Sequence, residues 1–248
     1  MIRADSLRIG EITASAVDLF GNLYLCDQQG QLFKIEPRPL RILHYSGRQT
    51  LGFDRIDAGS FSKIAVFSMD LQTVRFFDKN LNPLSELSLS PGLASSVTCI
   101  CLSSDNKLWI FDETGRVLEK IDPATARVIL TIDCSTVLKT ARADVADMRE
   151  YKNRLYMLDG DKNVYVFNSM GNLLRTFTIR GNGNLQFHDD DLISLSSGYL
   201  NLYNLDSGSL DQKPCDPALG NGYLFFSENY IYEVSKNIVI RPVSNGYY

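Results

Sequence analysis

The stretch DNKLWIFDETGRVLEKIDP (residues 105–123) decides the fold. An apolar run, Leu108-Trp-Ile-Phe111, stops at Asp112, turns through Glu-Thr-Gly115 and returns as the alternating run Val117-Leu-Glu-Lys-Ile121. Short runs of this kind bounded by Asp and Gly read as two strands of a hairpin, because those residues accept the backbone angles that a tight turn demands. The arrangement recurs in GNLYLCDQQGQLFKIEP (21–37), SKIAVFSMDLQTVRFFDKN (62–80), KNRLYMLDGDKNVYVFNSMGN (152–172), DDLISLSSGYLNLYNLDSG (190–208) and ENYIYEVSKNIVIRP (228–242). Anchored at Asn22, Lys63, Lys107, Arg154, Asp191 and Tyr230, the runs repeat at about 37 to 47 residues, the length of one four-stranded propeller blade.

The expected fold is therefore all-β: a six-bladed β-propeller with four-stranded blades, filling residues 1–248 as a single domain. The blades fall at about 12–46, 53–90, 96–133, 144–181, 184–213 and from 221 onward. The last unit holds three strands, Tyr223–Phe226, Tyr230–Val234 and Ile238–Pro242, so its fourth is expected from the N-terminal Ser6-Leu-Arg-Ile9. Pairing the two ends closes the ring and removes sheet edges open to aggregation. Ser135–Ala143 breaks the strand rhythm and predicts a helical turn or two after a Ser135 cap. Gly47–Ser60 and Leu210–Asn221 read as irregular loops, the second carrying Pro214 and Pro217.

A net charge of −4 with no basic stretch argues against general binding to nucleic acid or anionic membrane. No apolar segment approaches the roughly 20 residues that span a bilayer, so direct membrane insertion is not expected, and MIRADSLRIGE lacks the apolar core of a signal peptide. A mature exported domain with an added Met1 would read the same way. The five cysteines, Cys26, Cys99, Cys101, Cys134 and Cys215, show neither CxxC nor Cys/His metal spacing and read as small buried apolar residues.

Catalytic constellations are absent from the sequence, which has neither GxSxG nor HExxH. Of its two histidines, His44 falls on an outer strand and reads as solvated or structural. His188-Asp-Asp-Asp191 gathers three carboxylates that could ligate a hard cation, but alternate strand residues point apart and no second carboxylate cluster is identifiable, so the run reads as a solvated acidic turn between strands. Asp159-Gly-Asp161-Lys-Asn163 begins like a calcium loop, yet lacks the glycine at the sixth place and has Met170 where the closing glutamate belongs, so it reads as a hairpin turn. Arg180-Gly-Asn-Gly-Asn184 leads into another strand, whereas a phosphate cradle leads into a helix. A lactonase-like hydrolase would need a metal held by inward-facing carboxylates, and the innermost strands offer Asp147 and little else. Trp109, Phe67, Tyr156 and Tyr24 hold equivalent second-strand positions and read as inter-blade core, as do Phe76, Phe77, Tyr165 and Tyr203 on third strands. No catalytic, cofactor-binding or metal-binding residue is assigned.

The segments Asp18-Leu-Phe-Gly-Asn-Leu-Tyr24, Ile64–Val74 followed by Asp78, Asn106–Asp112 and Val164–Gly171 resemble, in the same order, segments of small Bacteroidota propeller proteins. That resemblance implies an NHL- or WD40-like six-bladed propeller exported to the periplasm or cell envelope, without an assigned reaction. It extends to docking on the outer-membrane translocon of the type 9 secretion system. The fifth and sixth units match only in pattern, and no unit carries the Trp-Asp ending of eukaryotic WD40 repeats. The expected function is a non-enzymatic scaffold presenting one face to another protein. A metal-dependent hydrolase in the central channel and a carbohydrate- or ligand-binding propeller remain as alternatives. The tail Val243–Tyr248, ending in two tyrosines, is a further candidate contact.

Overall fold

A computed structural model describes residues 9–47, 52–90, 92–138, 144–196, 198–215, 223–227, 230–234 and 238–242. Blade 1 consists of β1 (Ile12–Val17), β2 (Leu23–Asp27), β3 (Gln31–Pro37) and β4 (Leu40–Ser46). Blade 2 consists of β5 (Arg55–Asp57), β6 (Lys63–Ser68), β7 (Thr73–Asp78) and β8 (Pro83–Ser88). Blade 3 contains β9 (Val97–Leu102), β10 (Leu108–Asp112), β11 (Val117–Asp122) and β12 (Arg127–Asp133). Blade 4 contains β13 (Val145–Tyr151), β14 (Arg154–Asp159), β15 (Asn163–Asn168) and β16 (Leu173–Thr178). Blade 5 contains β17 (Asn182–His188), β18 (Asp191–Ser196), β19 (Tyr199–Asn204) and β20 (Leu210–Pro214). A last sheet holds β21 (Tyr223–Phe226), β22 (Tyr230–Val234) and β23 (Ile238–Pro242). Every sheet is an antiparallel meander in chain order.

Burial follows strand position. Every residue of β2 and of β10 is buried, because a second strand is covered on both faces by neighbouring sheets and so reads as a continuous apolar run. Outer strands β4 and β12 are mostly exposed. The core lies in layers between sheets. Trp109, Phe111 and Cys99 of blade 3 meet Val145, Met157 and Tyr165 of blade 4. Similar layers join blades 1 and 2, blades 2 and 3, and blades 4 and 5. Leu200 and Leu202 of blade 5 share a layer with Phe226 of the last sheet, and Leu23 and Leu25 of blade 1 share one with Phe225 and Tyr232. The fully buried aromatic side chains include Trp109, Tyr24, Tyr156 and Phe67, where the sequence placed inter-blade core.

The structure corrects several expectations. Five blades have four strands rather than six, and the last sheet has three, with no N-terminal strand paired to it among the described residues. Ser6 to Arg8 lie outside those residues, as does the tail Val243–Tyr248. The stretch Gly47–Ser60, read as irregular, contains β5, whose three residues are too few to show a period but pair with Arg55, Ile56 and Asp57 opposite Phe67, Val66 and Ala65. Leu210–Asn221 begins with β20, a polar strand recruited to the outer edge by pairing with β19, where Pro214 is tolerated. Of the predicted helical segment, Cys134–Leu138 forms one turn, with the Val137 and Leu138 N–H groups both donating to the Cys134 carbonyl. Residues 139–143 lie outside the described residues.

Candidate functional site: the central channel and one rim

The innermost strands β1, β5, β9, β13, β17 and β21 face the ring axis and adjoin one another in that order, β21 returning to β1. Side-chain hydrogen bonds stitch neighbouring blades together. Thr13 Oγ1 donates to the Phe53 carbonyl (2.6 Å), ahead of β5. Asp57 Oδ2 accepts the Leu102 N–H (2.6 Å), and Cys101 Sγ accepts the Glu150 N–H (3.0 Å). Asp147 Oδ2 accepts the Leu185 N–H (2.7 Å), and Gln186 Oε1 accepts the Phe226 N–H (2.9 Å). The Tyr232 hydroxyl donates to the Gly21 carbonyl. These bonds satisfy backbone groups that no ladder reaches, since neighbouring blades are not paired strand to strand.

A cavity of about 70 Å³ opens in the channel between the first halves of these strands, lined by Thr13, Ser15, Asp54, Arg55, Asp147 and Asn184 among others. Such a space holds a few waters or one small group. The Asp54 carboxylate accepts the Met69 N–H (2.7 Å). Asp147 accepts from Met148 and Leu185 through its two oxygens. Burial pushes the Asp147 carboxyl above the usual range, although the Leu185 N–H and the guanidinium groups of Arg55 and Arg149 pull the other way. Arg149 reaches from blade 4 to blades 5 and 1, donating through Nη1 to the Leu185 carbonyl and through Nη2 to the Val17 carbonyl, both at 3.2 Å. Arg55 has the opposite character: its Nε is buried without a hydrogen-bond partner among the described residues.

The other sequence candidates do not converge on this cavity. His44 sits on β4, stacked on Phe33 with ring centroids 4.5 Å apart, and its Nε2 is 2.8 Å from Gln31 Oε1. In His188–Asp191 the carboxylates diverge: Asp190 pairs with Lys152 (2.5 Å), Asp189 lies 3.5 Å from His188 Nε2, and Asp191 accepts from Asn204. Asp159 belongs to a hairpin, its oxygens accepting the Asn163 N–H (2.8 Å), Asn163 Nδ2 (2.9 Å) and the Tyr165 hydroxyl (3.0 Å). Gly181 has a structural reason, a φ of +87° and a position where a Cβ would lie 2.0 Å from the Leu195 carbonyl oxygen. Among the described residues, no three His, Cys, Asp or Glu side chains gather as a metal site would require. Four cysteines are buried, and burial raises the Cys99 thiol to about 12 and that of Cys134 to about 11, which keeps them protonated and unreactive at neutral pH.

Sequence reasoning missed Arg55, Asp57 and Arg149. Their visible signal is an arginine and an aspartate two apart on strands of one rank. It also missed the shared D-x-x-x-N spacing of three turns, in which one Asp oxygen accepts the backbone N–H of the Asn and the other holds the Asn amide, while in the turns at Asp18 and Asp78 the first oxygen accepts a second N–H, from Phe20 and Asn80. Asp18–Asn22, Asp78–Asn82 and Asp159–Asn163 share it.

Turns joining first to second strands lie on the face opposite the cavity mouth. There Leu19 and Phe20 of blade 1 and Phe61 of blade 2 project from adjacent turns, Phe20 65 % and Phe61 73 % exposed. The two rings stand edge to face with centroids 6.2 Å apart. Apolar groups this exposed add nothing to the inter-blade core.

No protein-family model and no curated protein matches the chain. Solved structures do. The WD40 domain of Neurospora crassa Pan2 is similar over 94 % of this chain and 76 % of its own, at 10 % identity and a TM-score of 0.64. Virginiamycin B lyase from Staphylococcus aureus is similar over 94 % and 80 %, at 13 % identity and a TM-score of 0.61. A chain of the mitotic checkpoint complex is similar over 94 % and 75 %, at 15 % identity and a TM-score of 0.60. At these identities the likeness establishes the fold: an all-β propeller of four-stranded antiparallel blades, an architecture used both in protein assemblies and by a lyase.

Proposed function

We propose that this chain is a non-enzymatic protein-interaction scaffold, a single ring domain that docks a partner protein on the rim formed by Leu19, Phe20 and Phe61. The exposed Phe20–Phe61 pair carries the reading, because solvent-facing aromatic side chains without a core role are the residues that anchor protein interfaces. The similarity to a chain of the mitotic checkpoint complex agrees with it. In this reading the ring has six blades, with Ser6–Ile9 completing the last sheet and removing its open edge. Residence in the cell envelope, and an outer-membrane translocon as partner, rest on the sequence resemblance alone.

Affinity purification of the tagged chain from its native envelope fraction, followed by mass spectrometry, tests the proposal. A stoichiometric protein partner is expected, and Phe20→Ser with Phe61→Ser should weaken its binding about 30-fold, the effect of losing about 2 kcal/mol at an interface anchor. The variant should keep its melting temperature, since neither ring fills the core. Recovery of the wild-type chain alone, or undiminished capture by the folded variant, would overturn the reading. Recovery alone would favour an enzyme, a use of the fold that the lyase illustrates.

A further inference from the structure

The turns that carry the exposed rings belong to different blades, and Lys79 joins them. It is the second residue of the Asp78–Asn82 turn between β7 and β8, on the same face as Phe20 and Phe61. Its ammonium donates to the Ala58 carbonyl (3.2 Å), three residues before Phe61. The same nitrogen lies 3.7 Å from Asp18 Oδ2, two residues before Phe20. Each anchor is itself fixed. Asp18 is buried, and its Oδ1 accepts the N–H groups of Phe20 and Asn22, both at 2.9 Å, so this carboxylate sets the conformation of the first turn. At the head of the second, Asp57 Oδ1 accepts the Gly59 N–H (2.8 Å). Lys79 is held as firmly: Asp78 Oδ1 accepts the N–H groups of Asn80 and Asn82, and Lys34 Nζ donates to the Lys79 carbonyl (3.0 Å). The Lys79 side chain is only 20 % exposed, its ammonium 5.7 Å from the centroid of the Tyr24 ring. An ammonium so placed gives up hydration that an ion pair offsets but rarely exceeds. What the bridge supplies is position.

We propose that Lys79 is the positioning residue of the docking rim: its ammonium holds the Phe20 turn of blade 1 to the Phe61 turn of blade 2, so that the two rings meet a partner as one preformed anchor. The role rests on the rim being a docking site, whereas the bridge itself does not. The edge-to-face contact of the rings, with centroids 6.2 Å apart, is a single contact between two exposed side chains. Turns free to part would let it open, and binding would then have to order both rings at the moment of association. The bridge does that ordering in advance. Substitutions separate its parts. Methionine keeps an apolar stem beside Tyr24 and loses both polar contacts, whereas arginine keeps the charge and the N–H donors on a stem of similar reach.

The test uses the full chain with ¹³C-labelled phenylalanine and reads the nuclear Overhauser contact between the Phe20 and Phe61 ring protons, assigned with Phe20→Leu and Phe61→Leu. Wild type is expected to show the contact, Lys79→Met to lose it while remaining folded, and Lys79→Arg to keep it. Capture of the partner should weaken about tenfold in Lys79→Met, as when two side chains must be ordered on binding, and recover in Lys79→Arg. Lys79→Gln, which keeps an N–H donor without the charge, decides the matter if Lys79→Met does not fold. A ring contact of wild-type strength in the folded Met or Gln variant would overturn the proposal, and with a lowered melting temperature it would mark Lys79 as structural only. Loss of the contact with capture unchanged would overturn it too. Because the ring contact is read without a partner, a wild-type chain that captures nothing counts against the docking reading alone.

Discussion

Blades 2 and 4 carry the same two side chains on their innermost strands, two residues apart and in opposite order: Arg55-Ile-Asp57 on β5 and Asp147-Met-Arg149 on β13. Each aspartate accepts an N–H from the next blade, Leu102 for Asp57 and Leu185 for Asp147. The arginines part company. Arg149 reaches two carbonyls on blades 1 and 5, whereas Arg55 is among the residues that line the cavity and its buried Nε has no hydrogen-bond partner among the described residues. Reversing the order moves the guanidinium from two carbonyl partners on neighbouring strands to the lining of the cavity. A residue type on an inner strand therefore has no fixed role, and its height along the strand assigns it either to structure or to a site.

The largest contrast is expected between the arginines. Arg149→Met leaves the Val17 and Leu185 carbonyls without this donor and should cost about 3 kcal/mol in urea unfolding, in the range of lost hydrogen bonds to charged groups. Arg55→Met removes a guanidinium without a protein partner and should stay within about 0.5 kcal/mol of wild type. Equal losses would break the comparison, since Arg55 would then be as structural as Arg149. A smaller effect is expected at the aspartates. Asp57→Ala leaves the N–H groups of Leu102 and Gly59 without their acceptor and should cost about 2 kcal/mol, with the Leu102 amide exchanging faster with solvent.

The smallest effect is the most specific. Asp147→Asn keeps an oxygen acceptor for Leu185 but turns its amide NH2 toward the Met148 N–H, and should cost about 1 kcal/mol at pH 7. Because the folded state raises the Asp147 carboxyl, the native protein holds this proton more tightly than the unfolded chain. Wild type should therefore gain stability relative to Asp147→Asn as pH falls from neutral through the raised folded value, with the gain complete below the ordinary aspartate range near 3.8. Urea midpoints of both proteins across that window measure it. A difference independent of pH would show that Asp147 is not held in the raised state that its burial implies.

Much of the frame was legible in the chain. Leu108–Asp112 and Leu23–Asp27 announce themselves as doubly covered strands because no polar residue interrupts them before the closing aspartate, save the sulfur of Cys26. Blade 1 was expected at 12–46 and spans Ile12–Ser46, since hairpin turns of Asp, Gly and Asn fix strand ends locally. The inner strand β5 and the outer strand β20 were not legible: one has three residues and the other is polar, and each exists because a neighbouring strand offers it hydrogen bonds.

By itself the sequence determined a repeating meander, its period, and which aromatic residues go between blades, because hydrophobic alternation and turn chemistry act over a few residues. Only the tertiary structure decided that Asp57 joins Leu102, that Asp147 joins Leu185, and that Arg149 joins Val17. Those partners lie 45, 38 and 132 residues apart, and no local pattern encodes a contact made when the ring brings distant strands around one axis.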